Sequence, residues 1–233
     1  PFLPIPNLDV QRKVHDAIYN HPSSTKALKK WNAKIYMSMM LPQYEYMGRG
    51  KPPASVADFK GKRLRALGGM GRAAKAIGAI PTTMPASETY TALQRGTVDA
   101  IGFPYTYTFA AYKLDEISDW YTTNMSLGSV NCPIVFNIDS YNALPAQYKK
   151  LLEDVKDGSY AAQGAAYAAK DKINVEKWAK NPKLTAVKIP EDQMANFRKI
   201  AGEPLWNDWV KENEGKIPAR ELLDIVLKTA KGG

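Results

Sequence analysis

Between residues 58 and 107 the sequence alternates strand and helix signals, and no other stretch limits the fold as strongly. Residues 63–67 are short and alternating, with Leu64 and Ala66 on one face and Arg63, Arg65 and Leu67 on the other. Gly68, Gly69 and Gly71 turn the chain into an alanine-rich helix over residues 71–79. A second strand over 80–84 stops at Pro85. Ser87 then reads as the N-cap of a helix with Glu88 in its first turn, where the dipole favours negative charge. Tyr90 and Leu93 share a face of that helix, and Gly96 is its C′ stop. A third strand over 98–103 ends at Pro104. Repeated strand–helix–strand units predict parallel pairing in an α/β sheet.

In such sheets, ligands bind beyond the carboxyl ends of the strands. Residues 65–68, 84–86 and 103–105 occupy those ends, so a cation (Arg65), a glycine-lined turn (Gly68) and an aromatic cluster (Phe103, Tyr105) are expected at one rim. That set suits a small organic anion, because the planar fork of Arg grips a carboxylate through two parallel hydrogen bonds. The plain alternative is that Arg65 is a solvated charge at a strand end.

Composition narrows the classes. The 233 residues suffice for one large domain or two small ones. No apolar run reaches the ~20 residues that span a bilayer. The sequence opens without a basic-then-apolar leader, so an exported chain is expected in its mature form. Cys132 is the only cysteine and His15 and His21 the only histidines. That rules out an intramolecular disulfide and a cysteine-based metal cluster, and leaves little for His-dependent catalysis. The net charge of +9 raises nucleic acid as a partner. The lysines are dispersed, however, and read as solvated helix faces, so no nucleic acid is expected.

Outside the central stretch, a helix is expected over 8–19 with Val10, Val14, Ala17 and Ile18 toward a core and His15 structural. Ser24 caps a second helix with Ala27, Leu28 and Trp31 on one face. Residues 35–41 read as a strand buried on both faces. Met37, Met39, Met40 and Met47 read as core or pocket filler. The loop over 48–54 is a crossing point between two lobes. A helix over 106–112, a strand over 120–124 and a buried strand over 134–136 follow. From Pro145 to Trp178, Tyr148, Leu151, Leu152, Val155, Ala162, Ala166, Ala169 and Ile173 recur at helical spacing. A continuous helix of about 34 residues is ~50 Å long, enough to brace two lobes. A strand over 183–189, a helix from Pro190 towards Glu214 and a last helix over 218–229 complete the reading.

Several of these segments resemble the solute-binding proteins of tripartite ATP-independent periplasmic (TRAP) transporters. Asp58-Phe-Lys-Gly-Lys-Arg-Leu-Arg65 is similar to their "DLKGLKIR" segment. Gly78-Ala-Ile-Pro81 and the run from Met84 to Asp99 are similar to "GA-P--MP-SEVYTALQ-G-VDG". Tyr141-Asn-Ala-Leu-Pro145-Ala-Gln-Tyr148 resembles "W--LP-D-Q" at the entry to the brace helix. The resemblance implies an α/β, two-lobed periplasmic binding protein fold, with residues 1–47 and 137–176 in lobe I and 48–136 and 177–233 in lobe II. It implies a receptor without catalysis or cofactor, located in the periplasm, that closes over an organic acid and presents it to membrane permease subunits. By the same resemblance Arg65 is the ligand's salt-bridge partner, Lys51 a second basic residue, and Ala86 a place where some relatives carry a pocket aromatic.

Two departures qualify it. Where many relatives read "ENP", this chain has Gly102-Phe103-Pro104, so a polar contact gives way to a ring. That favours a carboxylate with an apolar or aromatic body, with Tyr105, Tyr107 and Trp120 as further pocket candidates. The family's opening βα units, which supply much of lobe I, precede the "PFLF" segment that this sequence resembles at its start; a fragment and a renumbered chain both stay open. A rival reading rests on Gly69-Met-Gly71-Arg-Ala-Ala74, which fits the G-x-G-x-x-A fingerprint of a dinucleotide-binding oxidoreductase. Its acidic residue should end the next strand, whereas Glu88 falls inside a helix.

Overall fold

The structure, a computed structural model, describes residues 1–232. α1 (Leu8–Tyr19) and α2 (Pro22–Lys29) precede β1 (Ala33–Met39) and β2 (Glu45–Gly48). There follow β3 (Arg63–Arg65), α3 (Gly68–Ala76), β4 (Ile80–Thr82), α4 (Thr89–Gln94), β5 (Ala100–Phe103) and β6 (Trp120–Thr122). Next come β7 (Cys132–Asn137), α5 (Ile138–Ala143), α6 (Ala146–Ala179) and β8 (Thr185–Val187), then α7 (Glu191–Ala201), α8 (Glu203–Asn213) and α9 (Ala219–Lys231). Among the described residues, no helix is long and apolar enough to cross a membrane.

The chain forms two compact units. One holds Pro1–Leu3, Pro42–Ser129 and Ala169–Asp208; the other holds Pro4–Leu41, Val130–Ala168 and the chain from Trp209 on. The first crossing into the sheet-bearing unit thus comes at Leu41/Pro42, ahead of the glycine-rich loop expected to serve. The chain after Trp209 joins the other unit because α9 packs on α1: Val10, Val14 and Ala230 form an apolar cluster with Ile5 and Val226 against it. Another division falls inside α6, at Ala168/Ala169.

The first unit is built on a six-stranded sheet in the order β4-β3-β5-β2-β6-β8. β3 pairs in parallel with β4 and β5, as the alternating stretch requires, and β6 with β8. Asp99 fastens the start of β5 to β3, accepting from the Arg63 backbone N–H at 2.7 Å and from its guanidinium at 2.6 Å. Gly96 has φ +69 and returns its N–H to Leu93 O, the left-handed stop that ends α4. Ser87 is not the cap of that helix; it lies inside a short 3₁₀ turn, Ala86–Glu88, because the chain tightens after Pro85. The segment after Pro104 winds as a π-helical turn, Tyr105–Ala110. Gly202, with ψ −103, splits the expected helix after Pro190 into α7 and α8.

Sequence reading missed β2, the strand between β5 and β6. It is antiparallel to both and wholly buried. Its four residues are too few to show a period, and Glu45 interrupts the apolar run.

In the second unit, β1 and β7 form a two-stranded antiparallel sheet with an irregular register at Tyr36. Tyr160 of α6 lies beneath β1 with Met37 and Met40, and its hydroxyl accepts from Ser38 N–H at 2.9 Å. His15 meets the Ser38 hydroxyl at 2.9 Å, and burial lowers its pKa, which fits a structural role. Four expectations fail here. His21, not Ser24, caps α2, accepting from Ser23 N–H, because Pro22 already occupies the first helical position. Trp31 lies past the end of α2 and is 83% exposed. β7 was read as buried, yet Ile134 and Val135 are exposed, as are Tyr148, Leu151, Val155 and Ile173 on α6. β1 likewise is only partly buried, with Met37 and Ser38 inside. Helical or strand spacing shows which residues share a face; it does not show what covers that face.

The closest approach in the sheet is at Gly48. A Cβ there would stand 2.4 Å from the Trp120 ring and 2.7 Å from Asp99 O. Gly48→Ala is therefore expected to lower stability by about 1–3 kcal/mol through overpacking, measured by urea unfolding of the full chain. An unchanged midpoint would mean that the ring yields freely.

Candidate anion-binding site

Arg65 ends β3 and is only 3% exposed. The pleat turns its side chain to the face that carries Ile101 and Phe103, since Arg65 pairs with Ile101 across the parallel ladder. Nε and Nη2 both donate to Met84 O at 3.3 Å, and Nη1 donates to Gly102 O at 3.1 Å. Three of its five N–H groups are thereby directed at two carbonyls. The guanidinium lies flat on Phe103, with Cζ 3.8 Å from the ring centroid. Burial lowers its pKa, the Tyr44 phenol raises it, and no Asp or Glu figures among the groups that act on it. Arg nonetheless stays charged at neutral pH. The site thus holds a dehydrated cation whose neighbours supply dipoles and a π-face but no countercharge.

Gly68 opens α3 three residues beyond Arg65, at φ +45, with open space where a Cβ would be. The first N–H groups of a helix lack intrahelical partners and carry the positive end of its dipole. Ala86 follows Met84 and Pro85, and its carbonyl accepts from the Thr89 hydroxyl at 2.6 Å. Arg65, Gly68, Met84, Ala86 and Phe103 therefore belong to the carboxyl ends of β3, β4 and β5, as the strand-end reading placed them.

Other candidates fall elsewhere. Trp120 pairs with Gly48, which pairs with Ala100 at the opposite end of β5 from Phe103. Three strand residues separate those levels, about 10 Å. Trp120 is fully buried and donates to Arg49 O, which makes it core. Tyr105 turns inward: its hydroxyl donates to Thr122 O at 2.7 Å, and its ring stands edge-on to Tyr121 and Trp178. Tyr107 is exposed. Lys51 lies on the exposed loop before Asp58, whose pKa is lowered by hydrogen bonds from Ala54 and Ser55 and least by the Lys51 charge. A cavity of about 190 Å³ in the other unit is lined by Tyr19, Lys29, Lys34, Tyr36 and Ser38, and none of the Arg65 group lines it. The dinucleotide reading also fails on geometry, since β4 ends at Thr82 and no acidic residue stands there to meet a ribose.

Two residues that sequence reading overlooked adjoin the site. Tyr44 is buried and its ring centroid lies 5.9 Å from that of Phe103. Glu45 sits directly opposite Phe103 in the β2–β5 ladder and is buried. The aromatic-rich run Tyr44-Glu-Tyr-Met47 between Pro42 and Gly48 was the available signal for a short strand. Glu45 accepts from the Thr122 hydroxyl at 2.6 Å, from Met125 N–H at 2.9 Å and from Ser126 N–H at 2.8 Å. Among the described residues, no group of three or more His, Cys, Asp or Glu is placed to hold a metal ion.

The rim of the sheet thus brings a buried cation beside a glycine-led helix start. The chain belongs to the bacterial extracellular solute-binding protein family 7 (DctP), which matches residues 9–213. A solute-binding protein of Albidiferax ferrireducens is 28% identical over 173 residues, covering 72% of this chain and 50% of that one. The ectoine-binding periplasmic protein TeaA of Halomonas elongata is 25% identical over 231 residues, 90% of this chain and 63% of its own length. The solved structure of that ectoine-binding protein, from the TeaABC TRAP transporter, has a TM-score of 0.81 at 22% identity, covering 97% of this chain and 73% of its own. A TRAP periplasmic solute-binding protein of Bordetella bronchiseptica with bound (R)- and (S)-mandelate has a TM-score of 0.78 at 22% identity, covering 96% and 71%. The chain therefore has their fold and spans half to about two thirds of the curated relatives' length.

Burial raises the Glu45 carboxyl pKa above its ordinary value of 4.5, and the hydrogen bonds from Thr122, Ser126 and Met125 only partly offset this. A folded state that binds a proton more tightly than the unfolded chain gains stability as the pH falls from the native pKa towards the unfolded one. Urea unfolding from pH 7 down to pH 5 should show the wild type gaining stability relative to Glu45→Gln. Parallel curves would mean that Glu45 titrates like a solvated carboxyl.

Proposed function

We propose that the protein is a periplasmic receptor that binds a small organic acid by its carboxylate and delivers it to the membrane permease subunits of a TRAP transporter. It works by binding and release, without turnover. One observation carries the reading: the Arg65 guanidinium is buried with no carboxylate acting on it. A buried charge left in that state is costly, and a ligand carboxylate supplies the missing countercharge through the two-point geometry that Arg favours. Gly68 and the start of α3 add backbone donors on the same rim. The apolar surroundings, Phe103, Tyr44 and Ala86, favour an acid with an apolar or aromatic body. The mandelate-bound Bordetella protein supports that class, and the ectoine-binding protein supports a compact carboxylate.

A thermal-shift screen on the full-length protein with mandelate, succinate and ectoine, followed by calorimetry, tests the proposal, because a ligand of the native state raises Tm. Arg65→Ala is expected to cost about 2–5 kcal/mol of affinity for the acid that binds. Arg65→Lys should recover only part of it, since an ammonium lacks the fork. Equal affinity in all three proteins would remove Arg65 from recognition. Phe103→Leu should weaken binding by about 1–2 kcal/mol through loss of the stacked ring. A larger loss for mandelate than for succinate places the ring against the ligand; equal losses confine it to holding the guanidinium.

A further inference from the structure

The Glu45 carboxylate is a second buried charge in the same unit. Burial leads the influences on it, and its donors are hydroxyl and backbone groups of Thr122, Met125 and Ser126. The groups that in turn feel its charge are the phenols of Tyr46 and Tyr105. A carboxylate so placed is costly unless its donors would be worse off without it. Those donors lie in one short segment, from Thr122 to Ser126. Ser126 has φ +43, a left-handed backbone that no ladder can use. Without Glu45 the N–H groups of Met125 and Ser126 lose their acceptor. The Thr122 hydroxyl, which donates to Glu45, itself accepts from Tyr46 N–H at 2.8 Å, so the bonds close a ring around the start of β2.

That ring holds the residues packed against Arg65. Tyr44, one residue before Glu45, donates its N–H to Gly128 O at 2.8 Å and accepts from Leu127 N–H at 3.1 Å. Its ring leans on Phe103, and Phe103 carries the guanidinium. We propose that Glu45 is a positioning residue of the anion site: by pinning the 122–126 segment to β2 it holds Tyr44 and Phe103 in place under Arg65. Glu45 touches no ligand in this scheme and acts through those two rings. The inference rests on Arg65 being the carboxylate-binding group.

The test uses the full chain and two readouts, the Nε–H resonance of Arg65, which the Phe103 ring current shifts upfield, and mandelate affinity by calorimetry below the unfolding range. Glu45→Gln keeps the shape but turns one acceptor into a donor facing the segment's own donors. Thr122→Val removes one donor at nearly constant volume. Both are expected to move the Arg65 resonance downfield and to weaken mandelate binding, Glu45→Gln by roughly tenfold, the scale of one lost hydrogen bond to a charged group. Thr122→Ser, which keeps the hydroxyl, should restore both. An unchanged Arg65 resonance in folded Glu45→Gln and Thr122→Val overturns the proposal whatever acid binds. If the resonance moves but the wild type binds no acid, the positioning of Arg65 by Glu45 stands, and the reading of the site as a carboxylate receptor is what falls.

Discussion

Taking a guanidinium out of water costs several kcal/mol unless dipoles or an opposite charge replace its hydration. Arg65 is the place where the sheet-bearing unit meets that cost. Two carbonyls, Met84 O and Gly102 O, and the face of Phe103 take over part of the water's role. Each is delivered by the end of a different piece of the sheet: β3 carries the cation, the turn after β4 one carbonyl, and β5 the other carbonyl and the ring. The parallel pairing of β3 with both neighbours brings those ends level. Among the described residues, no carboxylate completes that replacement.

Glu45 presents the mirror problem two strands away, across β5. Hydroxyl and backbone donors meet its charge, and the segment that supplies them lies just before the chain leaves this unit after Ser129. Arg65 on β3 and Glu45 on β2 are buried groups of opposite charge with β5 between them, each hydrogen-bonded to fixed neutral dipoles. Such preorganised dipoles change little when a ligand arrives, so less of the binding energy is lost to rearrangement.

Much of the order of elements was legible along the chain. β3, α3, β4, α4 and β5 lie where glycines, prolines and short apolar runs put them, and α6 runs unbroken over its 34 residues. The place of Arg65 at the end of a parallel strand was legible too. Less legible was whatever depends on a partner. Ile134, Val135, Leu151 and Val155 have the spacing of a core face and are exposed, whereas Trp120, read as a pocket residue, is sealed in the core. Glu45 escaped notice because a lone carboxylate in a four-residue strand has no local signature.

The sequence by itself determined the alternation of strands and helices, the turns that glycine and proline enforce, and the cation at the end of β3. These depend on backbone preferences and on contacts a few residues apart, which neighbours along the chain can specify. Only the tertiary structure decided that Phe103 lies under the Arg65 guanidinium, that β2 runs antiparallel through the sheet, and that Glu45 is bound from a segment some 80 residues onward. Those relations join parts of the chain far apart in sequence, and burial, which sets the worth of each charge, is a property of the assembled unit.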